Sequence, residues 1–193
     1  MGGTFDPIHR GHLIAAEITR SSLGLETVVF VPSHCPPHKA LDEITPAELR
    51  YQMVLLAISA TPGFSCSRIE MERNCPTYAG DTIEAFRTLY GDDRDIYFIT
   101  GLDALLTIVD RERSRTYPGQ CRVVAVARPG YDEAAITACV PGEFRPYVMI
   151  VEGTALDVSS TEIRKRVRDG LPIGHMVPEA VRDFILTRGL YRQ

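Results

Sequence analysis

Short apolar runs alternate along this chain with segments of helical period. Residues 27–32, 95–101, 121–127 and 147–151 are continuous runs, mostly β-branched or aromatic and of strand length, the pattern of strands buried on both faces of a parallel sheet. A shorter strand is expected at 64–67. Between these runs the period changes. Leu13, Ile14, Ala16 and Ile18 predict a helix from Gly11 to about Leu23. Leu49, Met53, Leu56 and Ala57 predict another, opened by Thr45 as N-cap, Pro46 at the first helical position and Glu48 at the capping-box position. Ile83, Phe86, Leu89 and Tyr90 share a face of a helix that begins at Asp81 and Thr82. Further helices are expected just beyond Asp103, over 132–139, from Ile163 to Asp169 and from Pro178 to about Arg188; Gly170 and Gly189 stop the last two. Residues 68–80 and 110–120 read as irregular. This alternation predicts an α/β fold, a doubly wound parallel sheet in a single domain spanning 1–193.

Ligands of such sheets bind beyond the carboxyl ends of the strands. The polar motifs of this chain fall there. The first is Gly2-Gly3-Thr4-Phe5-Asp6-Pro7-Ile8-His9-Arg10-Gly11-His12. Glycines let a backbone approach a ligand closely, and the helix start that follows is a natural phosphate seat. His9 and His12, three apart, share a face and can add donors to the same anion. Such a turn is expected to follow a strand, and only Met1 precedes it. The first strand is therefore expected to be truncated before Gly2, with Met1 an internal methionine taken as the start. The second seat is Ser159-Ser160-Thr161, with Arg164 one turn into its helix and able to fork onto phosphate oxygens. Lys39, Gly101 with Asp103, and Arg128 also follow strands. Taken singly, Asp103 and Ser159 read first as helix caps and Lys39 as part of a solvated loop. Their convergence on one sheet edge is what points to a nucleotide.

The net charge of −4 argues against broad binding to nucleic acid while permitting a local basic pocket. No apolar run reaches the length of a membrane span, and no signal peptide precedes the first motif, so a cytoplasmic location is expected. The five cysteines are odd in number and scattered, and free thiols in a reducing compartment are their simplest reading. The spacings of His34, Cys35, His38, Cys66 and Cys75 reproduce no recognised zinc pattern, so no protein metal site is expected. A homo-oligomer is compatible with the chain, and the sequence does not set the state.

The first motif closely resembles the signature of the nicotinate mononucleotide adenylyltransferase family. Val-Ser-Ser-Thr-Glu-Ile-Arg at 158–164 resembles the same family's second signature, and the resemblance spans essentially the whole chain. It implies a Rossmann-like nucleotidyltransferase fold and transfer of the adenylyl group of ATP to nicotinate mononucleotide, with pyrophosphate released and Mg²⁺ brought in with ATP. It implies that His9, His12 and Arg164 are catalytic. Gly2, Gly3, Thr4, Gly101, Asp103, Arg128, Ser159, Ser160 and Thr161 would complete the ATP site. Lys39 resembles the lysine that reaches the acceptor phosphate, and the segment 77–82 resembles the one around the acceptor base, giving Thr77, Tyr78 and Thr82. Two departures fall on that acceptor side. The chain has no tryptophan to stack on the pyridine ring, leaving Tyr117 or Arg111 for that task, and Ala79 stands where the family has threonine. A related transferase acting on nicotinamide mononucleotide or a pantetheine phosphate is the alternative, as is an inactive nucleotide-binding truncation.

Overall fold

The computed structural model describes residues 1–36, 43–91, 94–116, 118–127, 130–153 and 158–192. The strands are β1 (Gly2–Gly3), β2 (Val28–Pro32), β3 (Phe64–Cys66), β4 (Tyr97–Gly101), β5 (Arg122–Ala127) and β6 (Val148–Glu152). The helices are α1 (Arg10–Ser22), α2 (Ala47–Ile58), α3 (Ala79–Tyr90), α4 (Leu102–Ile108), α5 (Arg111–Ser114), α6 (Glu133–Cys139), α7 (Ser160–Arg168) and α8 (Glu179–Thr187). Every recorded strand pair is parallel, in two three-stranded sheets ordered β1-β2-β3 and β4-β5-β6. The sheets meet where β1 faces β4. A Cβ built on Gly2 would come within 3.0 Å of the Phe98 ring, so only glycine fits there without a shift. The fold is the α/β arrangement of parallel sheet and alternating helices that the sequence predicts.

The apolar periodicities find their partners. Ala16 of α1, Met53 and Val54 of α2, Ile163 of α7 and Val181 and Ile185 of α8 pack with Phe30 and Ile99 in one buried cluster. Ile83 of α3, Leu105 of α4 and Phe144 pack with Val123 and Ala125 in a second. Together these clusters fix the strands whose carboxyl ends carry the motifs.

Four local expectations change. Helix α7 opens at Ser160, three residues before Ile163, because Ser159 accepts from the Glu162 N–H and caps it there. Pro46, not Thr45, is the residue flanking α2, because the Thr45 N–H is drawn to Asp6 Oδ2 at 3.3 Å and its carbonyl to Arg50. Helix α3 starts two residues earlier than Asp81, since extended Tyr78 ends the loop and Ala79 and Gly80 are already helical. The stretch expected to be irregular at 110–120 contains the single turn α5, anchored by Ser114 Oγ donating to the Ile108 carbonyl at 2.7 Å. The cysteine reading is overturned: Cys35 and Cys75, 40 residues apart, form a disulfide, and Cys66, Cys121 and Cys139 are free. Among the described residues no helix is long and apolar enough to cross a membrane.

Candidate functional site

The first motif leaves β1 through Thr4 and a left-handed Phe5 (φ 51°), then enters α1 at His9, whose extended backbone flanks the helix. His12 Nδ1 accepts the His9 N–H at 3.2 Å. An accepting Nδ1 puts the proton of the neutral ring on Nε2 and makes that nitrogen a donor. The two imidazoles stack with centroids 3.6 Å apart, and Phe5 packs edge-on against His12 at 5.0 Å. Gly11 makes room for this arrangement, since a Cβ there would lie 3.0 Å from His9 Nδ1. That nitrogen is buried and has no hydrogen-bond partner among the described residues. A bound ligand or water is the usual completion of such an atom.

Burial pushes the His9 pKa down to about 4. Burial also holds His12 well below the ordinary imidazole value, with the neighbouring His9 charge as a smaller cause in the same direction. Both rings are neutral at pH 7. A negative charge brought close to either ring would favour its protonated form.

The second motif docks directly onto the first. Ser160 Oγ donates to the Pro7 carbonyl at 2.9 Å, and Arg164 Nη1 donates to the Asp6 carbonyl at 2.8 Å, joining residues 153 and 158 positions apart. Ser159 caps α7 by accepting from the Glu162 N–H at 3.1 Å, and Thr161 Oγ1 accepts a long bond from Arg164 at 3.4 Å. The N-termini of α1 and α7 therefore stand side by side. Each carries a positive dipole end and backbone donors, and the guanidinium of Arg164 and the Nε2–H of His12 add to them. Two helix ends and a guanidinium together suit a chain of phosphates.

Two scaffold residues hold this arrangement. Buried Asp6 accepts from Tyr191 Oη at 2.7 Å and from the Thr45 N–H, so its carboxylate is already engaged. Arg50 of α2, only 1 % exposed, donates to the carbonyls of Thr45 (2.7 Å), Thr4 (2.6 Å) and Ser33 (2.7 Å), with a longer bond to His34 (3.4 Å). It ties the glycine turn to the loop after β2. Nothing in the helical pattern of α2 marks Arg50 as the inward-facing polar residue.

Of the residues expected on the acceptor side, Thr77, Tyr78 and Thr82 are described, on a segment tied to the loop after β2. Ser33 donates to the Gly3 carbonyl through its N–H at 2.9 Å, and two residues on the Thr77 N–H donates to the Cys35 carbonyl at 3.1 Å. Thr82 is buried, its Oγ1 bonded to Glu70 Oε1 at 2.8 Å and to Arg73 Nη2 at 3.1 Å. Burial raises the Glu70 pKa, with the Thr82 and Thr77 hydroxyls opposing that shift. Thr77 and Thr82 thus brace the segment from within. Tyr78 is half-buried, and the Arg115 guanidinium lies 4.0 Å over its ring and 3.6 Å from Asp81. Arg115 thus covers the Tyr78 ring, while the residues expected to stack on the pyridine ring, Tyr117 and the side chain of Arg111, lie outside the described set. The Arg115 backbone is left-handed (φ 57°), and its carbonyl sits where a Cβ on Gly80 would have to go.

Gly101 ends β4, is exposed and faces open space, as a binding edge requires. Asp103 lies in the first turn of α4 and Arg111 opens α5, but their side chains lie outside the described set. Lys39, Arg128 and Tyr117 lie outside the described residues altogether. A cavity of about 700 Å³ runs along β2 and β4, lined by Gly2, Val28, Val31, Thr82, Ile83 and Tyr97.

Residues 1–166 match the family described as cytidylyltransferase-like. A protein of Moorella thermoacetica named "Probable nicotinate-nucleotide adenylyltransferase" is 45 % identical over 195 residues, covering 100 % of this chain and 90 % of the relative. A protein of Thermus thermophilus with the same name is 43 % identical over 192 residues, covering 99 % of this chain and 97 % of the relative. Among solved structures, a Plasmodium falciparum nicotinic acid mononucleotide adenylyltransferase complexed with NaAD superposes with a TM-score of 0.75. The match covers 98 % of this chain and 94 % of that one at 18 % identity, so it bears on the fold alone.

Proposed function

The chain belongs to the nicotinate-nucleotide adenylyltransferase family, and we propose that it moves the adenylyl group of ATP onto nicotinate mononucleotide. The observation that carries this reading is the docking of α7 on the first motif, which gathers His9, His12 and Arg164 around two adjoining helix N-termini. A phosphate oxygen of the acceptor attacks the α-phosphorus of ATP, the bond to the β-phosphate oxygen breaks, and pyrophosphate leaves. Such a displacement needs no protein nucleophile. It needs two polyanions held in line and the growing charge on the leaving group offset.

In this reading Gly2, Gly3 and Thr4 line the approach of the nucleotide. His9, His12, Ser159, Ser160, Thr161 and Arg164 hold its phosphates, and His12 Nε2–H donates as charge develops. Gly101 and Asp103 receive the ribose, and Arg128 sits beside the nucleotide. Lys39 takes the acceptor phosphate; Thr77, Tyr78, Thr82, Arg111 and Tyr117 form the acceptor side, with the two buried threonines acting through the backbone they brace. ATP enters as its Mg²⁺ complex. The one carboxylate of the first motif, Asp6, is already bonded to Tyr191 and Thr45, which fits a cation carried by phosphates and water. We read the chain as one domain working in the cytoplasm.

An acceptor panel tests the reading. Nicotinate mononucleotide, nicotinamide mononucleotide and pantetheine phosphate are each supplied with Mg²⁺ and ATP, and pyrophosphate release is followed. The nicotinate form is expected to give the highest kcat/KM. Release with none of the three, from protein that still binds ATP, would refute the proposal.

A further inference from the structure

We propose that His34, Cys35 and Cys75 form a redox-gated site for a soft divalent cation of the zinc type, closed as a disulfide and open to metal when reduced. One ligand atom from each of the three residues lies within 4.8 Å of the others. A tetrahedral zinc with bonds of about 2.0–2.3 Å holds its ligand atoms about 3.3–3.8 Å apart, so modest shifts bring the three into place. The two sulfurs have to separate from bonding distance, and Cys75 is the exposed partner of buried Cys35.

Two features keep the set together without the covalent bond. The Thr77 N–H donates to the Cys35 carbonyl at 3.1 Å, and the Cys35 N–H donates to Thr77 Oγ1 at 3.4 Å. These bonds hold the loop after β2 against the segment before α3, so the Cα atoms, 5.4 Å apart, stay neighbours in the dithiol. The second feature is His34. Its Nδ1 lies 3.2 Å from the Arg73 carbonyl oxygen. A ring that donates there carries its lone pair on Nε2, and a backbone carbonyl behind one nitrogen is the usual support of a metal-ligating histidine. The 40-residue separation explains why no zinc spacing is visible along the chain.

The chemistry balances with a low-molecular-weight thiol as reductant. Two equivalents deliver two electrons and two protons, the Cys35–Cys75 bond breaks, two thiols form and the reductant leaves as its own disulfide. Cation binding then expels the two thiol protons, both thiolates and the imidazole coordinate, and water fills the fourth position. None of this depends on which acceptor the enzyme uses.

The test is Zn²⁺ titration against a chromophoric chelator, using the full chain in reduced and oxidised forms beside Cys75→Ser and His34→Gln. Exposed Cys75 is the variant least prone to disturb folding, and circular dichroism checks each protein. Thiol counting under denaturing conditions should give 5 in the reduced form and 3 in the oxidised form. Reduced wild type should bind one Zn²⁺ per chain. Loss of a direct ligand in folded Cys75→Ser should weaken binding by more than about 100-fold, beyond what losing a supporting bond costs. His34→Gln should weaken it in the same direction, and the oxidised chain should show no such site. Equal affinity in reduced wild type and folded Cys75→Ser would overturn the proposal, since any binding would then belong to Cys66, Cys121 or Cys139. So would equal binding by the oxidised chain.

Discussion

Replacing Arg50 tests whether one buried guanidinium holds the nucleotide loop to the rest of the sheet edge. In Arg50→Met the carbonyls of Thr4, Ser33 and Thr45 lose donors at 2.6, 2.7 and 2.7 Å, and that of His34 loses one at 3.4 Å. A fully buried acceptor left without a partner costs about 1–3 kcal/mol, so about 3–9 kcal/mol is the upper bound for these three half-buried carbonyls, which water can partly reach. Removing a cation from a site that desolvates it returns part of this, since burying an ion costs several kcal/mol. The net expectation is a loss near the lower end, about 3 kcal/mol. Arg50→Lys keeps the charge and reaches fewer of the carbonyls, so it should lose about 2 kcal/mol. Urea unfolding reads both through the midpoint at unchanged slope. In a chain of this size about 3 kcal/mol corresponds to about 6–12 °C in Tm. Because Thr4 precedes the histidines, ATP affinity should fall in folded Arg50→Lys as well. A loss under about 1 kcal/mol for Arg50→Met would refute the reasoning, because the three half-buried acceptors would then have found other donors, water among them.

The remaining predictions concern acid, a glycine and the disulfide. His9 has its folded pKa lowered to about 4 and His12 is lowered in the same direction, while unfolded imidazoles titrate near about 6.5. The unfolded chain therefore binds more protons between those values, so these histidines leave stability intact above about pH 6.5 and erode it as pH falls toward 4. The slope is at most about 1.4 kcal/mol per pH unit for each, and urea midpoints should fall less steeply in a His9→Asn, His12→Asn variant than in wild type; parallel curves would contradict this. Gly80→Ala places a Cβ 1.9 Å from the Arg115 carbonyl oxygen, whereas at Gly101 a Cβ meets nothing within 4 Å. Gly80→Ala should lose about 2–3 kcal/mol and Gly101→Ala under about 1, by the same urea assay, and equal losses would refute the close approach. Reducing Cys35–Cys75, which closes a separation of 40 residues, should lower stability by up to about 4 kcal/mol in the chain-entropy view, read as a midpoint shift that Cys75→Ser does not show.

The parts visible in the sequence are those encoded locally. Continuous β-branched runs and helical periods placed β2, β4, β5 and β6 and the helices between them, because parallel strands buried on both faces leave no polar alternation. The two motifs that meet at the N-termini of α1 and α7 were visible because a glycine pair, two histidines and a hydroxyl cluster at helix starts form a distinctive order. What stayed hidden depends on contacts between distant segments. Arg50 lies on a helix face whose direction is fixed only by Thr4 and Ser33 arriving from elsewhere. Cys35 and Cys75 are brought together by Thr77, and Gly80 is tight only because Arg115 crosses it. Thr77 and Thr82 look like surface hydroxyls until Glu70 and Arg73 fold in behind them. The start of α3 moved for the same reason: Gly80, a poor helix former, is helical because the Arg115 backbone packs on it.

The most direct measurement mixes the folded chain with Mg²⁺, ATP and nicotinate mononucleotide and quantifies the products by anion-exchange chromatography. Equal amounts of nicotinate adenine dinucleotide and pyrophosphate are predicted, with neither formed when one substrate is omitted. Loss of ATP to ADP and phosphate, or pyrophosphate without dinucleotide, would contradict adenylyl transfer at the meeting point of α1 and α7.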